Sequence, residues 1–181
     1  MQPGQVHVTL PALTVRTIIV HTVTYTVMGL LAVTFLDYRT AFEAPVTREF
    51  MRPVDDPVVA LGPALQCIRG VLFALAFYPL REIVFGRAGG WRIMWMLLVV
   101  LGILAPFAAA PGSVEGLLYT KLPLRLQLSG WLEIVTQALL LSVILHHWVT
   151  HPEKRWVAWV LGVAYALAVT ASVLGFVLGP R

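Results

Sequence analysis

The residues of this chain that could do chemistry are ionisable and amide side chains set inside long apolar runs, where a charge costs a few kcal/mol and needs an answering group beside it. Arg69 stands about a dozen residues into one such run, beyond easy snorkelling to water, with Gln66 one turn before it. An arginine at that depth needs a carboxylate, an open carbonyl or a bound anion. In a later run Glu133, Gln137 and His147 follow at offsets of four and fourteen residues. At 100° per residue these offsets return the side chains to within about 40° of one direction. In the first run His21 and Tyr25 share a face at the four-residue spacing.

These residues define a polar seam. Arg69 would anchor an anion or a lipid headgroup, and Glu133 with His147 would handle protons or hold a ligand. The structural alternative is that the same groups answer one another, Arg69 with Glu133 or Glu133 with Arg39. They would then hold helices in register for about 0.6 to 2 kcal/mol per contact.

The histidines raise haem and metal chemistry. His146, His147 and His151 cluster near the end of one run and His21 lies deep in another. Two facing histidines can hold a haem iron, but the cluster sits in Leu145-His146-His147-Trp148-Val149-Thr150-His151-Pro152, where the chain leaves the membrane. His147 and His151 have a spacing that suits zinc. Pro152 interrupts the helix there, and Glu153 is the one carboxylate nearby, so no metal site is expected and no cofactor is identified. The lone Cys67 leaves no disulfide and no paired-thiol site within one chain. Phosphate loops, nucleophile elbows and paired helical zinc motifs are missing from the sequence. Gly112-Ser113 reads as a turn rather than a nucleophile. An enzyme acting on lipid, with Glu133 and His147 as acid and base, is chemically conceivable, but the spacing selects no reaction.

The elements that must position these groups follow from composition. The 181 residues are 59% hydrophobic and 12% charged, and the mean hydropathy is +0.82. Soluble domains carry about 25% charged residues. The net charge of +4 comes from Arg and Lys scattered between apolar blocks, which supplies no basic stripe for nucleic acid. A helix needs about 20 mostly apolar residues to cross about 30 Å of hydrocarbon. Five runs meet that test, at about 13–36, 57–80, 91–110, 129–149 and 156–178.

The expected fold is therefore all-α: one polytopic transmembrane helix bundle of about five spans. Threonines of the first run can bond back to their own helix, and Asp37, Tyr38 and Arg39 close it. Asp55 and Asp56 are placed to cap the second run, with Pro57 and Pro63 near its start, where proline costs least. Arg81 and Glu82 end it. Trp91, Trp95, Trp131, Trp148, Trp156 and Trp159 mark span ends, as aromatic rings do at headgroup level. Pro106 kinks or ends the third run. The linker from Pro111 to Leu128 is too apolar for a solvated loop and too short to span, so it reads as interfacial or re-entrant between spans three and four.

No internal repeat is present, which removes the inverted-repeat signature of many transporters. Met1 to Leu13 lacks a basic n-region, so the first run is expected to be a permanent helix rather than a removable signal. No lipidation motif is present either.

With the amino terminus inside, Arg16, Arg81, Arg87, Arg92, Lys154 and Arg155 are inner, and Arg39, Arg48, Arg52, Lys121, Arg125 and Arg181 are outer. The tally is even. The acidic Glu43, Glu49, Asp55 and Asp56 tip the expectation towards a cytoplasmic (inner) membrane with the amino terminus inside.

In the fifth run Ala164, Ala168 and Ser172 recur every four residues, with Ala171 and Gly175 beside them, a smooth ridge that another helix backbone can approach. The leading functional expectation is a noncatalytic membrane subunit or small bundle that works by helix association, with itself or with other membrane subunits. A binder or carrier of a lipid or other amphiphile is the alternative, and an intramembrane lipid enzyme follows. Membrane lipids are expected partners and nucleic acid is not.

Overall fold

The computed structural model describes residues 8–49 and 51–179. Arg181, counted above among the outer cations, lies outside these residues, as do the first seven of the Met1 to Leu13 segment. The described chain is helical throughout, without a strand.

Helix α1 runs Leu10–Phe35. Its N-cap Thr9 accepts from the Ala12 amide at 3.4 Å, and Pro11 sits in the first turn, where its missing N–H costs nothing. Thr14, Thr17, Thr24, Thr26 and Thr34 each donate to the carbonyl four residues back, at 2.7 to 2.9 Å. That back-bonding lets a threonine-rich helix run through an apolar interior. Asp37, at φ +49°, takes a left-handed conformation that ends α1 and turns the chain into α2 (Tyr38–Glu43).

The second run is interrupted. Helices α3 (Pro57–Ala60) and α4 (Gly62–Phe77) meet at Leu61. Proline has no N–H, so Pro63 cannot bond back to the turn before it. The next rung is also open, because the Ala64 amide donates to Ser172 Oγ at 3.2 Å while Ser172 Oγ donates to the Ala60 carbonyl at 2.5 Å. A hydroxyl from the last helix thus stands in the ladder where a direct bond would run.

Asp56 caps α3: its Oδ1 accepts from the Val58 amide at 2.8 Å and its Oδ2 takes Arg52 at 3.0 Å. Asp55, expected to share the capping, instead faces Arg39 at 3.8 Å. The Val58 amide first and Arg52 second hold the Asp56 carboxyl below its ordinary pKa. A carboxyl lowered by folding contributes stability above its unfolded pKa of about 4 and loses it as pH falls through the lower folded value. Wild type should therefore melt above Asp56→Ala at pH 7, and the two should converge below about pH 4. A circular-dichroism melting series in detergent measures this; a gap that persists in acid contradicts it.

Helices α5 (Arg81–Val84) and α6 (Gly90–Val99) follow, and α6 passes into a π-helical turn at Val100–Leu104 before Pro106. The third run thus ends earlier than 91–110, because proline cannot continue the ladder. The linker expected to be interfacial forms two short helices, α7 (Val114–Tyr119) and α8 (Leu124–Ser129). Ser113 Oγ caps α7 by accepting from Gly116 N at 2.9 Å. Gly112 sits at φ +82°, and a Cβ there would fall 2.4 Å from Trp131 Nε1, so glycine is required. Helix α8 leads through Gly130 into α9 (Trp131–Thr150), and α10 (Arg155–Leu178) completes the chain.

Helix α1 is the centre: α4, α9 and α10 pack on it, α6 packs on α9, and α10 also lies on α3 and α4. At one end of the bundle Arg16 donates to the Trp148 carbonyl at 3.4 Å, and His146 Nδ1 donates to the Val84 carbonyl at 2.8 Å. At the other end the Tyr38 hydroxyl donates to Glu133. The interior includes Leu13, Val20, Ala74, Phe77, Met94, Leu141 and Leu145.

Three helices are long and apolar enough to cross a membrane: Leu10–Phe35, Leu124–Thr150 and Arg155–Leu178, of 26, 27 and 24 residues. At 1.5 Å per residue each exceeds about 30 Å. Two shorter apolar helices, Gly62–Phe77 and Gly90–Leu104, accompany them, and each spans roughly 22 to 24 Å. Large apolar side chains face outward, with Leu167 67% and Trp159 74% exposed. Water would penalise such a surface and hydrocarbon would not.

Candidate functional site

A cavity of about 330 Å³ opens between α1, α4, the α6–π segment and α9. Its polar wall is His21 and Tyr25 from α1, Arg69 from α4, and Glu133 and Gln137 from α9. Phe73, Leu98, Gly102, Ile103, Ile134, Ala138 and Leu141 supply apolar wall, and Ala110 and Pro111 reach it from the linker.

Each polar group is placed by helical spacing. His21 and Tyr25 are one turn apart on α1, their ring centroids separated by 6.4 Å. His21 is 2% exposed. Its Nε2 donates to Gln66 Oε1 at 3.0 Å, and Gln66 Nε2 donates on to the Gly62 carbonyl at 3.0 Å. This ties α1 to α4. The imidazole packs edge-on against Phe73 at 4.9 Å between centroids, and the Arg69 guanidinium lies 5.7 Å from the centre of the same ring. Arg69 is exposed and borders the cavity, and it finds no carboxylate within ion-pair distance and no hydrogen-bond acceptor among the described residues.

Glu133 meets neither Arg69 nor Arg39. Its partner is the Tyr38 hydroxyl, carried by the short helix after α1. Burial first, and the bond to Glu133 next, raise the Tyr38 phenol well above its ordinary pKa, which favours the protonated form that donates to the carboxylate. The register contacts expected between charges are thus replaced by a phenol–carboxylate bond and by Gln66 with His21. A tyrosine just past the first span was readable only as a span end, because nothing local aims it at a residue 95 positions away.

His147 is not part of this wall. It stacks on His151 at 4.4 Å between centroids, and its Nε2 lies 3.4 Å from Lys154 Nζ. It shares a helical direction with Glu133, but the axial rise over fourteen residues is about 21 Å. Glu133 and His147 therefore cannot share one substrate atom as acid and base. No group of three or more potential metal ligands occurs among the described residues.

The ridge on α10 divides. Ser172 and Gly175 face the bundle, Gly175 so closely that a Cβ there would sit 3.1 Å from Ala60 Cβ. Ala164 and Ala168 are half-buried, whereas Ala171 is exposed.

Phe73 and Gly102 were not anticipated as lining residues. Apolar side chains in an apolar run carry no local mark of the surface they face, although an aromatic one turn after Arg69 is a cue for a guanidinium resting place. No known protein family, curated protein or solved structure matches the chain.

Chemically, the site offers a guanidinium, a phenol and a carboxamide without hydrogen-bond partners in the described chain, a carboxylate held by one neutral donor, and an apolar remainder.

Proposed function

We propose that this protein crosses a cytoplasmic (inner) membrane five times, amino terminus inside, and retains an amphiphilic small molecule in the cavity between α1, α4, α6 and α9. On this reading the two shorter apolar helices are spans, accommodated by local thinning of the bilayer. The segment from Pro111 to Leu128 lies at the interface over the mouth of the cavity.

The observation that carries the reading is Arg69. It borders a cavity in the apolar bundle with no carboxylate within ion-pair distance among the described residues. A guanidinium left so is costly in hydrocarbon, and a bound molecule that answers it removes the cost. A cavity of about 330 Å³ lies at the small end of ligand sites, which run from roughly 300 to 1,000 Å³.

Purification in mild detergent, followed by mass spectrometry of the extracted small molecules, tests this. The protein should carry an amphiphile in near one-to-one amount. A Cβ at Gly102 would meet nothing within 4 Å, and Gly102 borders the cavity, so Gly102→Trp is expected to leave the fold intact and to crowd the cavity. Retained amphiphile should then fall at least about tenfold, the consequence of losing roughly 1.4 kcal/mol or more of binding. Undiminished retention in this variant ends the reading.

A second reading, the noncatalytic subunit, is favoured by the outward face of α10. There Ala158, Gly162 and Ala166 form a shallow groove beside Trp159 and Val163. It is a second small-residue surface, distinct from the Ser172 and Gly175 side already occupied by α3 and α4. The same gentle preparation should then hold a self-dimer or a copurifying polypeptide, and a strictly monomeric particle counts against it.

A further inference from the structure

Two opposite charges border the cavity without meeting. Arg69 comes from α4 and Glu133 from α9, and these helices each pack on α1 rather than chiefly on one another. No ion pair joins the two side chains, so their charged atoms are more than 4.0 Å apart. Tyr25 of α1 stands within the electrostatic reach of both. Arg69 rests on the face of Phe73, a weak substitute for an anion, and Glu133 has the neutral Tyr38 hydroxyl. Neither has the charged partner that a low-dielectric site demands.

The sum of the two wall charges is zero. A ligand that is only anionic would answer Arg69 and set its charge beside the Glu133 carboxylate; one that is only cationic would answer Glu133 and confront Arg69. A headgroup with both signs held apart answers each without creating a like-charge contact, and a net-neutral complex is the cheapest to keep within a bilayer. The uncharged donors are arranged to suit this. The Tyr25 hydroxyl and the Gln137 amide, neither bonded within the described chain, stand beside the two charges, Gln137 one turn after Glu133.

Size narrows the class further. About 330 Å³ holds on the order of ten water-sized groups, which admits a headgroup with the start of one chain and does not enclose a whole two-chain lipid. Gly102 and Ile103, on the π-helical turn, border the cavity, and Gly102 is exposed, so the rest of a chain has room beside a residue without a side chain. Single π-helical turns are frequent where helices serve a site.

We propose that the cavity receives the zwitterionic headgroup of a single-chain amphiphile, its anionic group on Arg69 and its cationic group on Glu133. This rests on the amphiphile-binding reading above and specifies its ligand.

The test uses the full-length protein in neutral maltoside micelles and three radiolabelled probes of equal chain length: a single-chain phosphocholine, an alkyl phosphate and an alkyl trimethylammonium. Wild type should bind the phosphocholine at least about tenfold more tightly than either singly charged probe. Arg69→Leu should reverse the ranking in favour of the ammonium probe, and Glu133→Gln in favour of the phosphate. That crossed pattern cannot arise from misfolding, which would weaken all three together. A wild-type preference for the phosphate probe, or a ranking that Glu133→Gln leaves unchanged, overturns the zwitterion while leaving an amphiphile site standing. Equal failure of every probe in wild type and in Gly102→Trp removes both.

Discussion

Replacing Gly70 by alanine is expected to force α1 and α4 apart. A Cβ at this position would lie 2.6 Å from Ile18 Cα, 2.9 Å from Ile18 Cγ1 and 3.1 Å from Ile18 N. The side-chain carbon can swing aside, but the backbone atoms cannot, so the helices must separate along the most extensive contact in the bundle. Alanine gains about 0.5 to 1 kcal/mol of helix propensity over glycine, and overpacking costs typically 1 to 3 kcal/mol. The net result should be a loss of about 1 to 2 kcal/mol by denaturant titration in detergent.

Gly29→Ala is the control. It lies on the same α1, where an added Cβ meets nothing within 4 Å, so it should be neutral or slightly stabilising. Similar losses for the two variants would show that the close approach at Ile18 is not what Gly70 serves. Because Phe73 and Arg69 sit on the same helix as Gly70, a separated α1 would also widen the cavity, and ligand retention should fall together with stability.

The second large effect is expected at Gln66. His21 Nδ1 already has no partner among the described residues, and Gln66→Leu would strip the bond from Nε2 as well. A buried imidazole left without partners costs about 1 to 3 kcal/mol, and interhelical polar contacts within membranes set the lower bound near 0.6 kcal/mol. The double variant His21→Leu with Gln66→Leu removes both polar partners, so it should recover most of the loss. A thermodynamic cycle over the four proteins measures this coupling. Additive losses would mean that the bond between α1 and α4 holds nothing together. Ligand retention gives the same cycle a second use: if His21 serves only to tie α1 to α4, the double variant should bind as wild type does.

These two sites show how unevenly the sequence disclosed the molecule. His21 and Gln66 were both visible as polar residues inside apolar runs, but their mutual bond was not, because it joins positions 45 residues apart. Gly70 carried no signal: the approach of Ile18 is a property of two helices, and a glycine in a helix reads locally as a weak point. Arg69 and Glu133 were legible as a pair of opposite charges in hydrocarbon, for which direct pairing was the economical expectation. They are instead unpaired, and Tyr38, just past α1, takes the carboxylate.

Ser172 makes a related point. Spacing placed it on a ridge of small residues, fit for contact of any kind. Only the packed bundle makes its hydroxyl the bridge across the Ala60–Ala64 rung. His147 errs in the opposite direction, for a shared helical face says nothing about distance along the axis.

The sequence by itself determined the solvent, the helical class and the three longest apolar helices, along with the polar residues that need explaining. Each of those depends on hydropathy and hydrogen-bond closure within some twenty consecutive residues. The tertiary structure alone decided that α1 is the hub, that the second run is broken between α3 and α4 and bridged there by Ser172 of α10, and which polar groups border one cavity while their charges remain unpaired. Those outcomes depend on contacts between distant segments, and the energy of such a contact is not written in either segment alone.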